Sequence, residues 1–242
     1  MASCCPPGSW GAPLDIPAVK ESNVKCIKIG DDDPLELYIA APEGAATRAI
    51  LVFTDVYGFQ NRLFAICDQF ATELNCHVVA MDNFQVHPVK TDIETVIQYI
   101  NDKFGIPSSE LSAIGFCWGA WPASKACNEF SFKCVVGFHP SLRFEENSGG
   151  NIMEMMKVAV KVPHLYCVSG NDPDYLKEGG DVAVMVEESK HGSKGESAKP
   201  RCVQFPDMMH GWVSRGDTSI KKVKDGADEA LKLAVDFLKN WM

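Results

Sequence analysis

The chain has 242 residues, 46% of them hydrophobic and 23% charged, with a formal net charge of −9. That size and balance fit one globular domain able to bury its own core. The acidic surplus argues against nucleic acid or an anionic membrane surface as partner, and no apolar run approaches the roughly 18 residues that a spanning helix needs.

The N-terminus, Met1-Ala2-Ser3-Cys4-Cys5-Pro6-Pro7-Gly8, lacks a basic stretch followed by an apolar one. No secretory signal is therefore expected, and the expected location is cytoplasmic. Ten cysteines are present. Most sit inside apolar runs without Cys-x-x-Cys spacing, which predicts buried thiols in a reducing compartment, with no disulfide framework and no zinc or other metal. Cys4-Cys5 stand apart as a vicinal pair in a proline-rich terminal stretch, expected to be a disordered tail.

Residues 1–22 read as an irregular arm, and 23–242 as a single domain. Val24–Ile29 and Leu35–Ala40 are β-rich runs around Gly30-Asp31-Asp32-Asp33-Pro34, which predicts an antiparallel hairpin. The continuous apolar run Ala49–Thr54 predicts a strand buried on both faces. A helix follows over Arg62–Leu74, with Leu63, Ile66, Phe70 and Leu74 on one stripe, and then a strand at His77–Met81. Thr91 or Asp92 is placed to cap a helix running through Ile93, Val96, Ile97 and Ile100.

Leu111–Phe116 is another buried strand, and the segment from Trp121 to Phe130 can continue as a helix. Further strands are expected at Cys134–Phe138, Val162–Ser169 and Arg201–Phe205, with a loop and short helix over 141–157, a helix including Val182–Ser189 and a solvated loop over Lys190–Lys199. The last helix, from about Ser219, carries Val223, Ala227, Ala230, Leu231, Ala234, Leu238 and Trp241 at helical spacing. Alternating strands and helices without repeats predict an α/β fold with a mostly parallel central sheet, an N-terminal antiparallel hairpin and helices on both faces.

The chemistry centres on Gly115-Phe116-Cys117-Trp118-Gly119. A strand that turns sharply into a helix needs residues without side chains on both sides of the turn, and the apex residue is then thrust above the sheet edge. Cys117 occupies that apex, and a helix beginning just after it would favour the thiolate. Other strand ends supply Asp55-Val56-Tyr57-Gly58, Gly170-Asn171-Asp172 and Asp207-Met208-Met209-His210-Gly211. Cys117, Asp172 and His210 follow the order nucleophile, acid, histidine that α/β-hydrolases use. His210 would act on the thiol and leaving group, and Asp172, or its neighbour Asp174, would orient the imidazole. The backbone N–H groups of Val56 and Trp118 are placed to bind an oxyanion. Asp55 would either hold Cys117 in one protonation state or cap the following turn.

These motifs, Ile50-Leu51-Val52-Phe53-Thr54-Asp55-Val56-Tyr57-Gly58, Gly115-Phe116-Cys117-Trp118-Gly119, Gly170-Asn171-Asp172 and His210-Gly211, together resemble the dienelactone hydrolase family, carboxymethylenebutenolidase-like esterases included. The resemblance runs from about residue 25 to the end. It implies an α/β-hydrolase fold, a Cys117-Asp172-His210 triad without cofactor, and an acid at position 55 that controls the thiol. Bacterial members usually carry glutamate there, whereas aspartate stands here as in animal relatives. The family's two arginines for a substrate carboxylate are not matched. Met81-Asp82-Asn83-Phe84-Gln85-Val86-His87-Pro88 has no arginine, and Arg215 lies one residue out of place. Tyr57, Phe84, His87, Lys90 and Arg215 are the remaining candidates for substrate contacts, and dienelactone itself is not the expected substrate. The expected function is cleavage of a small ester or lactone through a thioacyl-enzyme, by a monomer or possible dimer. The alternative is a non-hydrolytic ligand-binding or thiol-redox regulatory protein on the same fold.

Overall fold

The computed structural model describes residues 5–12, 24–26, 35–82, 89–192 and 194–242. Eight strands form one sheet: β1 (Val24–Cys26), β2 (Glu36–Ala40), β3 (Ala49–Phe53), β4 (His77–Asp82), β5 (Leu111–Phe116), β6 (Val135–Phe138), β7 (His164–Ser169) and β8 (Arg201–Phe205). Their order across the sheet is β1-β2-β4-β3-β5-β6-β7-β8. β1 pairs antiparallel with β2, and β2 pairs antiparallel with β4. Every pairing from β4 through β3 and β5 to β8 is parallel. The expected hairpin strands are therefore paired, although its turn at residues 27–34 lies outside the described residues. This is the α/β-hydrolase architecture.

Helices α1 (Asn61–Leu74) and α8 (Lys221–Trp241) cover one face, and α2 (Val89–Phe104) and α3 (Ala120–Ala126) cover the other. β3 shows why the chain must be sandwiched. Ile50 and Val52 pack with Leu63, Phe70 and Ala230, while Leu51 and Phe53 pack with Ile93, Val96 and Ala123. Alternate residues thus serve opposite layers, as the period of two requires. All five β3 residues are buried, and each large side chain among them contributes about 1.5–3 kcal/mol. Beyond β6, α4 (Phe144–Asn147), α5 (Ile152–Ala159) and α6 (Asp181–Glu187) close a third cluster around Tyr166 and Val168. A short α7 (Trp212–Arg215) precedes α8.

Two expected boundaries move. α2 starts at Val89, so Thr91 and Asp92 lie inside its first turn and do not cap it. α3 ends at Ala126, beyond which Asn128 N–H and Glu129 N–H reach back only three residues, to Lys125 and Ala126. The sheet reverses direction of winding between β3 and β5, which both neighbour one another and end on the same side. Such a switch point opens a crevice at the carboxyl ends of the strands.

Candidate active site

At that crevice β5 runs into Cys117, which stands at φ 52, opens a single 3₁₀ turn over Cys117–Gly119 and leads into α3. A non-glycine residue in the left-handed region costs about 1–2 kcal/mol, so packing must impose it. The flanking glycines show how. A Cβ on Gly115 would lie 2.4 Å from backbone atoms of Gly119 and Ala120, and one on Gly119 would lie 2.4 Å from the carbonyl oxygens of Phe53 and Thr54. The turn is pressed against the end of β3, which puts Trp118 beside the Asp55-Val56-Tyr57 loop. Trp118 is buried in the same apolar cluster as Cys117, and Val56 packs against it.

The loop after β7 presents Asp172, and the loop after β8 presents His210. Asp172 Oδ1 accepts from His210 Nδ1 at 2.6 Å, and its other oxygen accepts from Ser169 N–H at 2.7 Å. Asn171 ties the two loops, its Oδ1 accepting from His210 N–H at 2.7 Å. Asp174 plays no part here: its side chain is 96% exposed and pairs with Lys177 at 2.9 Å. Burial would lower the pKa of His210, but the bond to Asp172 and the neighbouring Cys5 thiol outweigh it and raise the value. Cys117 Sγ and a ring nitrogen of His210 lie within 4.8 Å.

Asp55 is buried at the end of β3 among three hydrogen-bond donors and one cation. It accepts from Tyr57 N–H at 2.8 Å, Gln60 Nε2 at 3.2 Å and Ser214 Oγ at 3.0 Å, and Arg215 Nε lies 3.1 Å away. The Tyr57 N–H contact caps the following turn, one of the two roles that the sequence leaves open for this residue. Burial pushes its pKa up, held back by Arg215 and the hydrogen bonds. Arg215 is fully buried, with the Tyr57 ring 4.8 Å from its guanidinium carbon. Tyr57 is itself 43% exposed. Lys90 is exposed and paired with Glu129. Phe84 and His87 lie outside the described residues.

Three residues escaped sequence reasoning. Cys5 is not part of a loose tail: its Sγ lies 3.4 Å from Cys117 Sγ. Residues 5–12 are fastened over the site by Trp10 N–H to His210 O (2.9 Å), Asn171 Nδ2 to Pro7 O (2.9 Å) and Arg215 Nη1 to Trp10 O (2.6 Å). Ser141, in the loop after β6, donates its N–H to Cys117 O at 2.9 Å and holds its hydroxyl 3.7 Å from the thiol. His139, in the same loop at φ 41, is fully buried 5.0 Å from the His210 ring, and neither of its ring nitrogens has a hydrogen-bond partner among the described residues. The position of Ser141 and His139 just past a parallel strand was the available signal. For Cys5 there was none.

The model of the dienelactone hydrolase family matches residues 75–242. The chain belongs to the dienelactone hydrolase family. Membership makes it a carboxylic ester hydrolase. A curated relative, the carboxymethylenebutenolidase homolog of Xenopus tropicalis, is 20% identical over 232 residues, covering 86% of this chain and 88% of that protein. Among solved structures, esterase 2 of Thermogutta terrifontis phosphonylated by sarin superposes with a TM-score of 0.64 at 18% identity, covering 93% of this chain and 97% of that one. Est1E of Butyrivibrio proteoclasticus gives 0.59 at 11%, covering 86% and 98%. At such identities the structural likeness speaks for the fold. No helix among the described residues is long and apolar enough to cross a membrane.

Proposed function

We propose that this family member hydrolyses a small ester or lactone through Cys117. The observation that carries the reading is the Asp172–His210 bond of 2.6 Å on an imidazole whose ring lies within 4.8 Å of a thiol at a strained apex. His210, with Nδ1–H held by Asp172, takes up the thiol proton at Nε2. The thiolate attacks the carbonyl carbon, and the backbone N–H groups of Val56 and Trp118 receive the oxyanion. Collapse expels the alkoxide, protonated by His210, and leaves a thioacyl-enzyme. Water deprotonated by His210 then releases the acid and restores the thiol. Asp55 controls the thiol through Arg215, whose charge faces both the Asp55 carboxylate and the two thiols. Substrate reaches Cys117 only once residues 5–12 draw aside, since thiol and imidazole are fully buried. A thiolate suits activated esters, lactones and thioesters. Arg215, engaged with Asp55, is not free to hold a substrate carboxylate, which agrees with a substrate other than dienelactone.

The test is p-nitrophenyl acetate turnover across pH for the wild type, Cys117→Ser and His210→Ala. A loss of about a hundredfold or more in both variants supports the triad; turnover that is absent, or survives both changes, removes it. A second reading, thiol-redox regulation, draws on the 3.4 Å contact between Cys5 and Cys117. It expects a reversible Cys5–Cys117 disulfide at low peroxide, with ester turnover lost on oxidation and regained on reduction.

A further inference from the structure

We infer that Cys5, Cys117 and His210 form a binding site for a soft divalent cation of the zinc type, in which the N-terminal arm supplies one thiolate and the hydrolase centre the other two ligands. The two sulfurs and a ring nitrogen all lie within 4.8 Å of one another, and among the described residues no other group of three His, Cys, Asp or Glu does so. Zinc takes sulfur at about 2.3 Å and nitrogen at about 2.0–2.1 Å in a tetrahedron, so its ligand atoms stand about 3.5–3.8 Å apart. The sulfurs, 3.4 Å apart, meet that edge after a shift of a few tenths of an ångström.

The imidazole is prepared in the same sense. Asp172 accepts from Nδ1 at 2.6 Å, which fixes the proton there and leaves the lone pair on Nε2. That nitrogen is buried and faces the Cys5 thiol, the group that would share the cation with it. A carboxylate behind a histidine is the usual support of a zinc-binding imidazole. Cys5 is held in place by three hydrogen bonds from the arm, two to the loops carrying Asn171 and His210 and one to Arg215 on α7.

The charges balance. On binding, both thiols release their protons to solvent, and two thiolates offset the dication. Arg215 Nη2, 3.9 Å from Cys5 Sγ, favours the thiolate form, and its own charge is matched by Asp55. A water, or Ser141 Oγ at 3.7 Å from Cys117 Sγ, would complete the tetrahedron. Bound metal would occupy the nucleophile and the base together and pin the arm over them. Metal binding itself does not depend on the hydrolase reading.

The full chain, stripped of metal and kept reduced under argon, is titrated with Zn²⁺ against a chromogenic chelator, and separately with Co²⁺. The expected result is one equivalent of zinc, and a cobalt complex with thiolate charge-transfer absorption and tetrahedral d–d bands. Cys5→Ser weakens binding on the order of a hundredfold while its circular dichroism and thermal midpoint match the wild type, and Cys5→His restores uptake. Zinc also inhibits the wild type at stoichiometric concentration, and Cys5→Ser only at far higher metal, each relative to its own metal-free rate. Uptake equal in wild type and Cys5→Ser, or no stoichiometric uptake by the wild type, overturns the site whether or not either protein hydrolyses ester.

Discussion

Arg215 Nε lies 3.1 Å from Asp55 Oδ2, and neither side chain reaches solvent. The pair links α7 to the loop after β3 that carries Asp55 and Val56. Removing one partner of a buried pair leaves the other charge uncompensated and costs about 3–5 kcal/mol. Arg215→Met is therefore expected to lower unfolding free energy by that amount at neutral pH, measured by urea denaturation. The loss should shrink in acid, because burial already pushes the Asp55 carboxyl toward its protonated form and without Arg215 it takes up the proton sooner. The double variant Asp55→Asn, Arg215→Met should lose less than the sum of the two.

Asp172 and Asp174 offer a sharp contrast within one loop. Asp172→Asn keeps the shape but removes the charge and leaves one acceptor where His210 Nδ1–H and Ser169 N–H need two, and kcat should fall by roughly 10²–10⁴. Asp174→Asn alters only an exposed pair with Lys177 and should leave esterase kinetics near those of the wild type. Equal losses at both positions would remove Asp172 from its role.

The elbow depends on Gly119 for space. Gly119→Ala drives a Cβ to within 2.4 Å of the Phe53 and Thr54 carbonyl oxygens, which neither strand nor turn can relieve cheaply. Gly149→Ala is the matched control: it stands at φ +84 with nothing within 4 Å of its Cβ, so only left-handed strain of about 1–2 kcal/mol applies. Thermal unfolding should show a several-fold larger loss for Gly119→Ala.

His164 gives the chain an acid-sensitive limb of stability. Burial lowers its pKa to about 4, with Nδ1 bound to Val162 O at 2.6 Å. The unfolded chain protonates it near pH 6.5, so between 6.5 and 4 the unfolded state binds the extra proton. Stability therefore falls as pH drops through that window and is unaffected by this group above it. The span corresponds to at most about 3 kcal/mol. In pH-dependent urea denaturation, His164→Phe should flatten the limb.

Where residues 35 to 242 follow short-range periodicity, the sequence was readable. β8 at Arg201–Phe205 and α1 at Asn61–Leu74 fall on or within a residue of their expected bounds, because alternation and helical spacing are local consequences of which face is buried. The elbow was readable for the same reason: two glycines four apart report a backbone demand inside one turn. The start of α2 was misread because Thr91 and Asp92 carry capping side chains whether or not the chain uses them.

What the sequence by itself determined is the sandwich, the order of its strands and helices, and the delivery of Cys117, an acid loop and His210 to the carboxyl ends of three parallel strands, β5, β7 and β8. Tertiary structure alone decided which acid meets His210, which charge faces Asp55, and where Cys5 rests. Those contacts join loops whose side chains have no period. The Cys5–Cys117 contact spans 112 residues and Arg215 to Trp10 spans 205. Such pairs form only after the sheet has brought distant strand ends to one rim, so their partners are set by packing and register across the whole domain, and no local pattern in the chain records them.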